Sequence, residues 1–137
     1  MADKAYMIIK NMKADKVFDN KYKATLPKTM KTAAEKAIKG SSNMTLDKPN
    51  DKNAKAYSLD ATVVSLTNSG KELQVKVSMA LSENNSMFGF LEGNSKYPTG
   101  NPKQLDRDVQ DLVGGVIESL VDGKVSGAIQ KKLDQAP

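Results

Sequence analysis

Residues 56–81, AYSLDATVVSLTNSGKELQVKVSMAL, decide how the rest of the chain must be read. In the second half of this stretch Leu73, Val75, Val77, Met79 and Leu81 point one way. Gln74, Lys76, Ser78 and Ala80 point the other way, the period-two alternation of a half-buried strand. The first half, 57–66, is richer in β-branched residues and alternates less cleanly, which suits a strand covered on much of both faces. Between the halves Asn68 and Gly70 supply residues that tolerate positive φ. The spacing predicts a β-hairpin at the centre of the fold.

Working outward toward the amino terminus, 5–12 (AYMIIKNM) is a continuous apolar run and reads as a central strand. The charged segment 13–23 reads as a loop or short strand. A helix is predicted over 25–38, because Leu26, Met30, Ala33, Ala34, Ala37 and Ile38 share one face. Thr25 is its expected N-cap, Pro27 falls in its first turn and Gly40 stops it. Residues 43–46 form a brief strand. The polar segment 47–53 reads as a solvated loop, since the central Gly and terminal Glu of a calcium loop are missing.

Toward the carboxyl terminus, 82–86 is a turn and 87–91 (MFGFL) a last strand, with Phe88 and Phe90 expected on one face. Residues 92–103, punctuated by Gly93, Pro98, Gly100 and Pro102, read as a long loop of the kind that carries binding. The second helix, 105–121, shows the clearest period: Leu105, Val109, Leu112, Val113, Val116, Ile117, Leu120 and Val121 form one stripe. Asp106, Asp108 and Asp111 crowd its start, where the helix dipole favours negative charge, and that placement accounts for them without a metal. Gly114 and Gly115 in its interior point to a close approach by a strand or partner. Asp122 and Gly123 end or kink this helix before a short C-terminal helix. Together these elements predict one α+β domain spanning 1–137. Its mixed or antiparallel sheet of about four to five strands is packed by two main helices and the short third one.

The composition narrows the function. With no Cys and no His among 137 residues, thiolate nucleophiles, Ser-His-Asp arrangements and the commonest metal ligands are all missing. The expectation is a protein that is not an enzyme and holds no cofactor. An enzyme reading would need a cleft lined by Asp60, Glu72 or Asp111. Charge is uneven: residues 1–55 carry 13 Lys against 6 acidic residues. That basic front half admits nonspecific binding of nucleic acid or anionic lipid through Lys10, Lys13, Lys16, Lys21 and Lys23. With 20 Lys against one Arg and few aromatics, base-specific readout lacks its usual groups. No apolar run approaches the length of a membrane span.

A family resemblance attaches to the hairpin. Ala56-Tyr57-Ser58-Leu59 leading to Ala61-Thr62-Val63-Val64, then Gly70 and the alternating Leu73, Val75 and Val77, resembles the amino-terminal domain of TolB. It is also similar to the CsgG and LpoB groups of bacterial envelope lipoproteins. The opening strand departs from the pattern, reading Ile9-Lys10-Asn11-Met12 in place of a proline-phenylalanine step, as do Lys55 and Ser58. The resemblance implies a noncatalytic envelope domain that binds other proteins. The expected location is periplasmic or envelope-associated if a signal peptide was removed, and cytoplasmic otherwise. The leading expectation is therefore a structural or protein-interaction domain. Its partner is expected at a sheet edge or along 87–103, with Met87, Phe88, Phe90 and Tyr97 as contact residues.

Overall fold

A computed structural model of the protein describes residues 4–50 and 55–135. Its strands are β1 (Ala5–Val17), β2 (Met44–Thr45), β3 (Ala56–Asn68), β4 (Glu72–Glu83) and β5 (Ser86–Pro98). The helices are α1 (Lys21–Lys39), α2 (Leu105–Leu120) and α3 (Ser126–Gln135), with a π turn, Val121–Val125, joining the last two. The strands form one mixed sheet in the order β2-β1-β3-β4-β5. β1 runs parallel to β2 and β3, and β3, β4 and β5 form an antiparallel meander.

The hairpin sits where its alternation required. Leu73, Val75, Val77, Met79 and Leu81 are all buried, and the last four lie opposite Leu66, Val63, Ala61 and Leu59 of β3. α1 lays Leu26, Met30, Ala34 and Ile38 on this core, and α2 adds Val109, Val113 and Ile117. All three helices thus cover one face of the sheet. The other face carries Lys13, Thr62, Lys76 and Asn94 and has no helix on it among the described residues.

Three expectations are corrected and one that stood open is decided. Segment 13–23, which admitted a loop or a short strand, is strand as far as Val17, because Met12, Ala14 and Val17 pack against the core while the lysines between them stay out. α1 starts at Lys21, with Asn20 rather than Thr25 at the cap position, because buried Tyr22 anchors an extra turn. The expected loop 92–103 is largely strand, since β5 pairs with β4 as far as Pro98 opposite Glu72. A Cβ at Gly114 would stand 3.8 Å from Ala33 of α1, an ordinary contact, and one at Gly115 would meet nothing within 4 Å, so neither glycine marks a close approach by a strand. The expected loop at 47–53 lies partly outside the described residues. No helix among the described residues is long and apolar enough to cross a membrane.

Candidate interaction surface

β5 is the site's frame. A two-residue loop, Asn84 and Asn85 with φ of 53° and 66°, turns the chain from β4 into it. Both central residues being left-handed gives a turn whose twist matches the strands it joins. A bulge opposite Leu81 and Ser82 follows at once. It separates the two phenylalanines that simple alternation put on one face. Phe88 turns to the helix side, its ring 5.7 Å from that of Tyr57 and 4.8 Å from the Lys132 ammonium. Phe90, opposite Ala80, stands on the uncovered face and is 58% exposed. Met87, opposite Ser82, shares that face at 61% exposure. Tyr97 lies opposite buried Leu73 and therefore on the helix side.

β5 is also an edge, and its hydrogen-bond phase can be worked out. Thr99 donates its amide to the Lys71 carbonyl at 3.0 Å, one position beyond the Pro98–Glu72 pair. Bonded and non-bonded pairs alternate along an antiparallel ladder. Tyr97, Ser95, Gly93 and Leu91 thus bond to β4, while the backbones of Lys96, Asn94, Glu92 and Phe90 point away from the sheet. Pro98, which has no N–H to lose, sits in the outward phase as it must. Lys124 of the π turn confirms the phase by donating to the outward Glu92 carbonyl at 2.9 Å.

Between β5 and α2 runs an open groove of about 760 Å³, bounded by Gly93, Ser95 and Tyr97 below and by Leu112, Gly115 and Ser119 above. Nothing lies within 4 Å of where a Gly115 side chain would begin. Glycine at this helix position costs about 1 kcal/mol relative to alanine, and what it leaves is clearance beside the edge. At Gly93 the situation is reversed: a Cβ there would meet the Leu120 side chain at 3.0 Å.

The basic residues divide. Lys13 and Lys16 pair with Thr62 and Ser65 on the uncovered face, and Ser65 in turn lies opposite Lys76. Lys10 lies beside them at the β1 bulge, in a niche shared with Asp60. Lys96 and Lys76 extend the same face, where Glu92 answers Lys76 at 3.7 Å. Lys21 is elsewhere: its ammonium is 2.9 Å from Asp106 at the start of α2. Lys23 is exposed on the first turn of α1. Of the carboxylates that an enzyme reading singled out, Asp111 lines the groove between β5 and α2 and Asp60 the niche beside Lys10, while Glu72 stands at the start of β4. Asp60 accepts the Asn11 amide at 2.9 Å, Glu72 accepts from Gln74 at 2.8 Å, and Asp111 faces Arg107 at 3.9 Å.

Of the contact residues expected from the sequence, Met87, Phe90 and Tyr97 are exposed and Phe88 is half-buried, while exposed Phe18 and the edge residues Glu92, Asn94 and Lys96 were missed. For the edge residues, alternation with Gly93, Ser95 and Tyr97 was the available signal, masked by Gly93 and Pro98.

No family model matches the chain, and no curated protein matches its sequence. Solved structures match its fold. The hypothetical protein CT253 of Chlamydia trachomatis superposes with a TM-score of 0.68 at 11% identity, over 93% of this chain and 99% of that one. The PelC dodecamer subunit of Paraburkholderia phytofirmans gives 0.54 at 12% identity, over 93% and 88%. A minor lipoprotein of Acinetobacter baumannii gives 0.51 at 12%, over 90% and 94%. At these identities the likeness establishes the fold alone, and a resemblance to TolB, CsgG or LpoB is not shown by it.

Proposed function

We propose that the chain is a non-enzymatic, envelope-associated domain that binds a protein partner by strand addition to the outer edge of β5. The observation that carries this reading is the edge itself: from Phe90 to Lys96 alternate backbone groups face outward, flanked by exposed Met87, Phe90 and Tyr97. Long edge strands of this kind template pairing with another chain unless they are blunted. Here Pro98 and the Lys124 contact blunt only the two sides of the Asn94 position. The likeness to a minor lipoprotein supports the envelope setting, and the likeness to a subunit of a dodecamer supports protein contact as a use of this fold. Phe88 acts within this surface by holding the start of β5 against Tyr57 and α3.

A photo-reactive phenylalanine analogue placed at position 90 tests the reading in a bacterial envelope fraction, with the same analogue at exposed Phe18 as control. A protein adduct formed from position 90, absent from position 18 and lost with Asn94→Pro, is the expected result. Equal adducts from both positions would overturn it.

A second reading has one observation in its favour: Lys10, Lys13, Lys16, Lys76 and Lys96 converge on a face that no helix covers among the described residues. We infer that this face attracts anionic surfaces in a salt-dependent way. Replacing Lys13, Lys16 and Lys76 by Gln should then abolish retention on anionic vesicles at low salt, whereas Lys21→Gln and Lys23→Gln should leave it. Equal loss from both sets would refute a face-specific effect.

A further inference from the structure

We propose that the partner on the β5 edge is a second copy of this chain, paired antiparallel to the first about a twofold axis through Asn94. The proposal rests on the reading of β5 as the interaction surface and names its occupant. An isologous contact must be self-complementary, each residue meeting its counterpart twice. β5 satisfies this in one register. With Asn94 opposite Asn94, Glu92 of each copy faces Lys96 of the other, and opposite charges directly across an antiparallel pair are stabilising.

The backbone phase agrees. Glu92, Asn94 and Lys96 are the residues whose N–H and C=O groups already point outward, so all three positions become bonded pairs in this register. The remaining positions also match. Phe90 meets Pro98 of the other copy on the uncovered face, donating its amide to the proline's carbonyl, while its own carbonyl is left to solvent because proline has no N–H. Leu91 meets Tyr97 on the helix side, and Gly93 meets Ser95. Two of the exposed large hydrophobics, Phe90 and Tyr97, are thereby covered. Moving the axis to Gly93 sets Phe90 against Lys96, and moving it to Ser95 sets Glu92 against Pro98. Centring on Glu92 or Lys96 stacks like charges. None of these alternatives forms an opposite-charge pair. The clearance beside Gly115 and Ser119 leaves room for the incoming strand's helix-side residues. Lys124 occupies one lone pair of the Glu92 carbonyl, and the second lone pair remains for the Lys96 amide of the other copy.

The test is solution mass by sedimentation at several concentrations. Wild type is expected to approach twice the 14.8 kDa of one chain. Glu92→Lys and Lys96→Glu each set like charges opposite one another in a homodimer and should weaken it about tenfold or more. An equimolar mixture of the two variants restores both opposite-charge pairs and should recover the dimer. Loss of folding could not produce that recovery. Asn94→Pro removes an outward amide while leaving the bonds to β4, and should give a folded monomer. A dimer indifferent to all of these changes would mean that the copies meet elsewhere, overturning the proposal but not the edge reading. A wild-type monomer at every concentration would overturn it too, and amide exchange at Glu92, Asn94 and Lys96 then separates the two readings. Fast exchange leaves the edge open to a different protein, whereas protection in a monomer means that the chain covers its own edge and both readings fail.

Discussion

The Asn85 backbone is held at φ 66°, a region that costs a side-chain-bearing residue about 1–2 kcal/mol and that asparagine enters most readily after glycine. Asn85→Val should therefore lower stability by about 1–2 kcal/mol, while Asn85→Gly should leave it within about 0.5 kcal/mol. Urea midpoints measure both. A second residue-scale device ties the start of α1 to the start of α2. The Tyr22 hydroxyl donates to Asp106 at 2.7 Å, and the Lys21 ammonium stands 2.9 Å from the same oxygen. The hydroxyl first, and then the ammonium, hold the Asp106 carboxyl below its ordinary value of 3.8. Because that value is depressed in the folded state, the contribution is present above 3.8 and is lost as pH falls through the folded value. Burial, then the bond to Asp106, raises the Tyr22 phenol above its ordinary 10.0. Its contribution is complete below 10.0 and is lost as pH rises beyond it. Tyr22→Phe should flatten both limbs of a stability-against-pH curve. Unchanged limbs would show that this cluster does not set them.

At the scale of elements, two glycines make opposite demands. Gly93 lets β5 pass under Leu120, so Gly93→Ala forces a buried leucine aside and should cost about 1–2 kcal/mol. Gly115 has open space above it, so Gly115→Ala should gain about 0.5–1 kcal/mol in helix stability. The opposite order in chemical denaturation would contradict the packing described for β5 and α2. These residues also show where the sequence could be read. Strong periodicity placed β4 and α2 almost to the residue, because Leu73 to Leu81 and Val109 to Leu120 each bury a single face. β5 was legible only over 87–91. Beyond Leu91 the next helix-side positions, before Tyr97, are Gly93 and Ser95, small residues beside α2 that read as loop. The bulge that parts Phe88 from Phe90 leaves no trace in the alternation of either strand. The extension of β1 to Val17 was hidden by lysines that belong to the uncovered face.

For the molecule as a whole, the buried set is continuous from Ala5 to Ile129 and draws on β1 to β4 and all three helices. Urea should therefore unfold the protein in one transition, with fluorescence and circular dichroism coinciding. Two transitions would divide the chain into separate units. The sheet order has a further consequence, which concerns time. β3, β4 and β5 are joined by tight turns and can find one another locally, but β1 pairs with β3 only across the span from Tyr6 to Ala56. Contacts of such sequence separation form late, since loop closure must come first. Val77→Ala should accordingly slow folding, and Met7→Ala should mainly speed unfolding. On the ribosome the order of synthesis is reversed with respect to this order of assembly. β1 emerges first and stays without its neighbour until β3 has been made, so the earliest strand to exist is the last to be placed.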